Sequence, residues 1–222
     1  MTIASSQVTA VIINFQTPDL TATAVSSFRT SYSSVPLLLI DNGSSDGSAE
    51  TFATLIERWP DTTSLIRNAT NFHHGPAMDQ AVRAARTPLV LFLDSDCEVL
   101  RGGFVEAMEQ LLLEDHHNYV TGKRIWMNDR GFDVDETPGA HLYIRPICMM
   151  LRRNIYLTLP PFERHGAPCL ANFVEASRHG LRLLHFPVES YVRHKGRGTA
   201  GRHGYHLGIR GRVNHLLNKL GL

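Results

Sequence analysis

The sequence predicts an α/β fold: a Rossmann-like, mostly parallel sheet with helices on both faces and a smaller second region. Three observations point there. Short apolar runs alternate with helical stretches in the order β-α-β-α-β-α-β, with short connections, as in a doubly wound sheet. The run at 89–93 (LVLFL) is five apolar residues in succession behind Pro88, which reads as a strand buried on both faces. Two carboxylates, Asp94 and Asp96, follow it directly, at the end of the sheet where open α/β folds bind ligands.

Taken in order, residues 8–14 (VTAVIIN) are a β-branched first strand. Thr17-Pro18-Asp19 breaks it and starts a helix to about residue 30, with Thr17 as N-cap and Pro18 in the first turn. Residues 35–40 are the second strand. The stretch 41–48 (DNGSSDGS) is a loop whose short polar side chains can bond their own backbone. A helix at about 48–58, a short strand at 64–67, a loop at 71–75 and an alanine-rich helix at 76–86 lead to the fourth strand at 89–93. Beyond Asp96 the alternation lapses. Residues 103–114 read as a helix, 119–125 as a strand, 126–141 as a loop or hairpin, and 146–153 and 154–159 as short helices stopped by Pro160-Pro161. A helix at 170–179 ends at Gly180, a good C-cap residue, before an apolar strand at 181–187 and a basic, glycine-rich loop at 191–199. The tail 206–220 has roughly helical apolar spacing, interrupted by Gly208 and Gly211. The expected organisation is one domain over 1–199, with halves at 1–98 and 99–199, and a basic extension at 200–222.

With 222 residues, 43% apolar and 19% charged, the chain can bury a core and is not disordered by composition. A net charge of +1, from 22 basic and 21 acidic residues, argues against nucleic acid as the partner. The charge is uneven, however. No acid follows Glu189, while Arg193, Lys195, Arg197, Arg202, Arg210, Arg212 and Lys219 do. Such a tail suits an anionic partner, a diphosphate, a membrane surface or nucleic acid, unless it is simply a solvated extension; it also offers a surface for pairing two chains as a homodimer. Cys97, Cys148 and Cys169 form no C-x-x-C pair, which points away from zinc and disulfides and toward a reducing compartment. No run approaches the ~20 apolar residues of a membrane span, and residues 1–9 lack the order of a signal peptide. The expectation is a cytoplasmic protein, soluble or peripheral to the inner face of the membrane.

Asp94 and Asp96, two apart on an extended backbone, point to the same side. Close carboxylates raise each other's pKa unless a cation sits between them. A hard divalent cation, Mg²⁺ or Mn²⁺, is the usual solution and often brings substrate phosphates with it. A polar loop with Asp94 capping the next turn is the alternative.

Four pieces of the first 110 residues resemble the nucleotide-sugar-binding half of family 2 glycosyltransferases of the GT-A fold: Val11-Ile12-Ile13-Asn14-Phe15; the stretch from Leu39 through Asp41 to Ser48; Asn71, Gly75 and the alanine-rich helix; and Leu91-Phe92-Leu93-Asp94-Ser95-Asp96. The resemblance implies a donor site. Asp41 would accept hydrogen bonds from the base or ribose, with Asn14, Phe15 and Gln16 lining the base pocket. Asn71 and Gly75 would wall the ribose, with Asp79 facing the same region. Asp94 would lie near ribose and metal, Ser95 beside it, and Asp96 would bind the metal. In the second half, Val192 to Thr199 fits the place of a late metal-binding histidine followed by a phosphate loop. His194 would complete the metal set, with Arg193, Lys195 and Arg197 near the diphosphate.

The resemblance also implies an inverting transfer from a nucleoside diphosphate sugar, UDP most commonly, to a glycan or lipid-linked acceptor. One departure stands out. The acidic base expected before the late helix has Pro168-Cys169 in its register. Glu163, His165 and Glu175 are the neighbouring candidates, with Glu163 first and His165 second. Tyr143, Trp126 and Phe162 are candidates for a sugar platform, or else core aromatics. A nucleotide-sugar-binding protein without turnover is the rival reading. A sugar-phosphate nucleotidyltransferase is disfavoured because Asn14-Phe15-Gln16-Thr17-Pro18 has no glycine.

Overall fold

The computed structural model describes residues 7–163 and 166–196. Strands β1 (Val8–Asn14), β2 (Leu37–Asp41), β3 (Thr63–Arg67) and β4 (Leu89–Leu93) form a parallel block in the order β3-β2-β1-β4. Their carboxyl ends, at Asn14, Asp41, Arg67 and Leu93, lie along one edge of the sheet. Side-chain alternation divides the apolar residues between two cores. Val8, Ala10 and Ile12, Leu37 and Leu39, and Leu89, Leu91 and Leu93 face one; Val11, Leu38 and Ile40, and Val90 and Phe92 face the other. Helices α1 (Pro18–Ser31), α2 (Ser48–Arg58) and α4 (Phe104–Leu113) cover the first face; α3 (His74–Ala84) and α6 (Leu170–Arg178) cover the second. Each fully buried leucine, valine or phenylalanine contributes about 1.5–3 kcal/mol relative to an exposed one.

The second region extends the same sheet. Strand β6 (Asn118–Met127) pairs antiparallel with β8 (His141–Arg152), β8 pairs antiparallel with β4, and the short β7 (Asp133–Val134) closes a hairpin on β6. Strand β9 (Arg182–His185) lies parallel to β6. A separate two-stranded ladder joins β5 (Cys97–Val99) to β10 (Val192–His194).

Two expectations fail here. Residues 146–152 belong to β8 and are not a helix; only Arg153–Tyr156, α5, is helical. Pro146 lies where the register between β6 and β8 shifts, between the pairs Lys123↔Arg145 and Gly122↔Met149. A bulge asks for no ladder N–H from proline, so the residue that reads as a helix start is tolerated in a strand. The bulge also crowds the partner strand: a Cβ on Gly122 would come within 2.9 Å of Cys148 O and 2.7 Å of Ile144 Cγ2. The basic stretch after Tyr191 is likewise not all loop, since residues 192–194 are a strand. The tail at 200–222 lies outside the described residues.

Candidate active site

The β8 bulge positions the first carboxylate. Beyond the end of β4, Asp94 N–H still donates to Ile147 O at 3.0 Å. Cys97 N–H then donates to Asp94 O at 3.0 Å, closing a tight turn that carries Asp96. The β5–β10 ladder runs one bond further, with Lys195 N–H donating to Asp96 O at 3.0 Å. His194 is thereby set with Nε2 3.1 Å from Asp96 Oδ1. One ligand atom each from Asp94, Asp96 and His194 lie within 4.8 Å of one another. His194 and Asp94 form the more open side of the group, with 35% and 24% of their side chains exposed against 12% for Asp96.

Burial and the neighbouring Asp96 push the Asp94 carboxyl up to about 7, against the pull of His194. The hydrogen bond to Asp96, aided by the charge of Asp94, raises the His194 imidazole above its ordinary value. The group thus concentrates negative charge in a half-buried place, where a cation offsets it. Two carboxylates and one imidazole suit Mn²⁺ or Mg²⁺ with positions left for phosphate oxygens, so the side chains present fit such an ion. His74 Nε2 stands 3.9 Å from Asp94 Oδ1. Burial holds that imidazole well below the usual histidine range, hence uncharged.

The loops at the ends of β1 and β2 are tied to each other. Asp41 is 3% exposed, and its Oδ1 accepts Ser44 N–H at 3.2 Å. Asn42 Nδ2 donates to Asn71 Oδ1 at 2.9 Å and His73 O at 3.2 Å, while Asn42 Oδ1 accepts from Asn68 Nδ2 and Phe72 N–H. Gly43, at φ +79°, sits where a Cβ would be 2.4 Å from Thr70 C, so only glycine lets these two loops meet. Phe15 and Gln16 are half-buried at the end of β1, with Gln16 N–H donating to Ser44 Oγ at 2.9 Å.

Most residues expected at the donor site make contacts within the fold. Asn14 is fully buried; its Nδ2 donates to Ser44 and Ser48, and its Oδ1 accepts from Thr17 and Thr21. That side chain braces the loops and does not line a base pocket. Thr17, expected to cap α1, gives its hydroxyl proton to Asn14 instead. Asp79 is taken by Tyr156 Oη, 2.7 Å away, and by Arg83, 2.8 Å away. Lys195 and Arg193 pair with Glu98, at 3.8 and 3.2 Å; these half-exposed pairs are weak. Ser95 is nearly buried, 3.5 Å from the Thr17 hydroxyl. Asn71 braces Asn42 and His73, and Gly75 is buried in the first turn of α3. Tyr143 and Phe162 are 1% exposed, core residues and not a sugar platform.

Among the base candidates, Glu163 is exposed, whereas Glu175 is engaged by Arg178 and His179. His165 and Arg197 lie outside the described residues. Cys169 stands fully buried at the N-cap of α6. His74 was missed; its signal was a His-His-Gly step at the start of an alanine-rich helix, in a chain with 12 histidines.

A parallel sheet that delivers carboxylates to its carboxyl end, extended by an antiparallel second half, defines a GT-A-type fold. The sequence model described as "Glycosyl transferase family 2" matches residues 9–173, so the chain belongs to that family. Three solved structures show the fold. The mannosyltransferase PcManGT from Pyrobaculum calidifontis, in complex with GDP-Man and Mn²⁺, is 17% identical, with a TM-score of 0.70 over 95% of this chain and 62% of that one. GalNAc-T7 with UDP, GalNAc and Mn²⁺ is 15% identical, with a TM-score of 0.71 over 94% and 46%. TarS of S. aureus, residues 1–349 in complex with UDP-GlcNAc, is 13% identical, with a TM-score of 0.60 over 87% and 61%. The chain thus spans less than two thirds of each of these structures. No curated protein sequence matches it.

Proposed function

We propose that this chain is a metal-dependent glycosyltransferase moving a sugar from a nucleoside diphosphate sugar to an acceptor hydroxyl on a glycan or a lipid carrier, with inversion at the anomeric carbon. The convergence of Asp94, Asp96 and His194 at the carboxyl edge of the sheet, the edge at which β2 also ends in Asp41, carries the reading. Asp41, its plane set by Ser44 N–H, would accept from the ribose or base. Asp94, Asp96 and His194 would hold the cation. When bound, that ion would offset charge on the departing nucleoside diphosphate. The imidazole ligand favours Mn²⁺ over Mg²⁺. Glu163 or His165 would take the acceptor proton as the hydroxyl attacks from the face opposite the leaving group. UDP-sugars are the first donors to try.

The test is a panel of nucleotide sugars, with and without Mn²⁺, on the wild type and Asp96→Ala. Metal-dependent binding with release of nucleoside diphosphate, lost in Asp96→Ala, supports transfer and identifies the donor. No binding to any member of the panel would sink it. A second reading, donor binding without turnover, draws on buried Cys169 at the helix start where the family resemblance calls for an acid. Tight donor binding with no release, even with mixed glycan and lipid-linked acceptors present, would favour it.

A further inference from the structure

We propose that His74 is a positioning residue for Asp94: a fourth member of the site, next to the first carboxylate and outside the ligand group itself. The inference rests on the metal-binding reading above. His74 Nε2 lies 3.9 Å from Asp94 Oδ1, a gap that about 1 Å of side-chain movement turns into a hydrogen bond. His74 does not join the group of ligand atoms within 4.8 Å of one another. Asp94 therefore has, besides its fellow ligands, an imidazole close to its Oδ1 that is not one of them. About a third of the His74 side chain is exposed.

The backbone that aims His74 is strained and heavily braced. His73 holds φ +68° and ψ 173°, a region almost reserved for glycine, at a cost on the order of 1–3 kcal/mol. Three hydrogen bonds keep it there. His73 N–H donates to Asn71 Oδ1 at 2.7 Å, and His73 O accepts from Asn42 Nδ2 at 3.2 Å and from Ala77 N–H at 3.3 Å. Asn42, 2% exposed, is itself anchored by Asn68 and Phe72. The loop thus spends conformational energy on a backbone that presents the next side chain to Asp94. A carboxylate that ligates a metal needs such an outer partner to hold its orientation, and losing one typically weakens metal binding 10–100-fold.

The experiment is Mn²⁺ binding in the absence of any sugar nucleotide, followed by electron paramagnetic resonance. It compares the wild type, His74→Ala and His74→Gln, and Asp94→Asn with and without His74→Ala. His74→Ala is expected to weaken Mn²⁺ binding about tenfold or more. His74→Gln, whose amide N–H can reach the same carboxylate, should recover at least half of that loss on a logarithmic scale. In the Asp94→Asn background the further change should stay within about twofold, because the two residues act as a unit. Equal affinity of wild type and His74→Ala would overturn the proposal, as would an undiminished effect in Asp94→Asn. Circular dichroism of each variant separates loss of folding from loss of binding. A wild type that binds no Mn²⁺ would instead refute the metal-binding reading itself, a distinguishable failure.

Discussion

Two groups of acids and histidines in this molecule look alike on paper and differ in kind. Asp94, Asp96 and His194 come from residues about a hundred positions apart and are brought together by a strand end, a tight turn and a two-stranded ladder. Asp115, His116 and His117 are consecutive, and their ligand atoms also lie within 4.8 Å of one another. Their electrostatics run in opposite directions. Burial and a like charge push Asp94 up to about 7. Hydrogen bonds from His117 and the charge of Arg182 pull Asp115 down to about 2. Asp115 is already satisfied: His117 N–H at 2.8 Å and Arg182 at 2.8 Å occupy its oxygens, and His116 is 82% exposed. Closeness of ligand types is therefore a weak signal. A half-buried carboxylate in a place that disfavours its charge marks a site, because the fold has left that charge for something else to neutralise.

The largest effect should come from Asp96→Ala. Metal-dependent release of nucleoside diphosphate is expected to fall at least about 100-fold, equivalent to a few kcal/mol of charge stabilisation, while Asp115→Ala leaves the rate within about twofold. A matched loss in both variants would erase the distinction between the groups.

Next in size is His194→Ala, expected to weaken Mn²⁺ binding on the order of 10–100-fold by calorimetry. His116→Ala and His117→Ala should leave it unchanged. Paramagnetic broadening by Mn²⁺ should reach the His194 ring resonances well before those of His116 and His117.

The metal-free protein gives a subtler contrast. Asp94 has a folded pKa of about 7, above the ordinary 3.8, so the fold binds this proton more tightly than the unfolded chain does. Stability from this group falls as pH rises from about 4 to 7 and is level above. Asp94→Asn removes that loss. Its melting midpoint should exceed the wild type's at about pH 8, by about 2–4 °C for each kcal/mol released, and converge with it near pH 4. Saturating Mn²⁺ should reverse the order at pH 8 if wild type alone binds the ion tightly. Identical midpoints at pH 8 without metal would show that Asp94 carries no such burden.

Asp115 should give the smallest effect, with the opposite sign. Its folded pKa is below the ordinary value, so its contribution is present above about pH 4 and is lost as pH falls toward 2. Asp115→Asn should lower the midpoint slightly at neutral pH, and the difference should vanish near pH 2.

The first half was legible because its signals are local. Strands β1, β2 and β4 are short apolar runs bounded by turn residues, and helix α2 begins and ends where the sequence places it. The second half was less so. Pro146 reads as a helix start, and only the pairing of β8 with both β4 and β6 shows that it occupies a bulge. The family resemblance implies that Asn14 lines the base pocket. Its side chain instead turns inward, where four hydroxyls saturate it.

By itself the sequence determined a doubly wound parallel sheet, the loops at its carboxyl edge, and two carboxylates two residues apart on one side of a strand end. Periodicity and turn chemistry act over a few residues, so they can be read without the fold. The tertiary structure alone decided that β10 lies against β5, the pairing that sets His194 at Asp96 as the family resemblance implied, that the β8 bulge holds Asp94, and that a strained His73 leads into His74, 3.9 Å from that carboxylate. These are contacts between distant segments. Which of them form depends on the strand edges left unpaired and on the hydrogen bonds that make a costly backbone worth keeping.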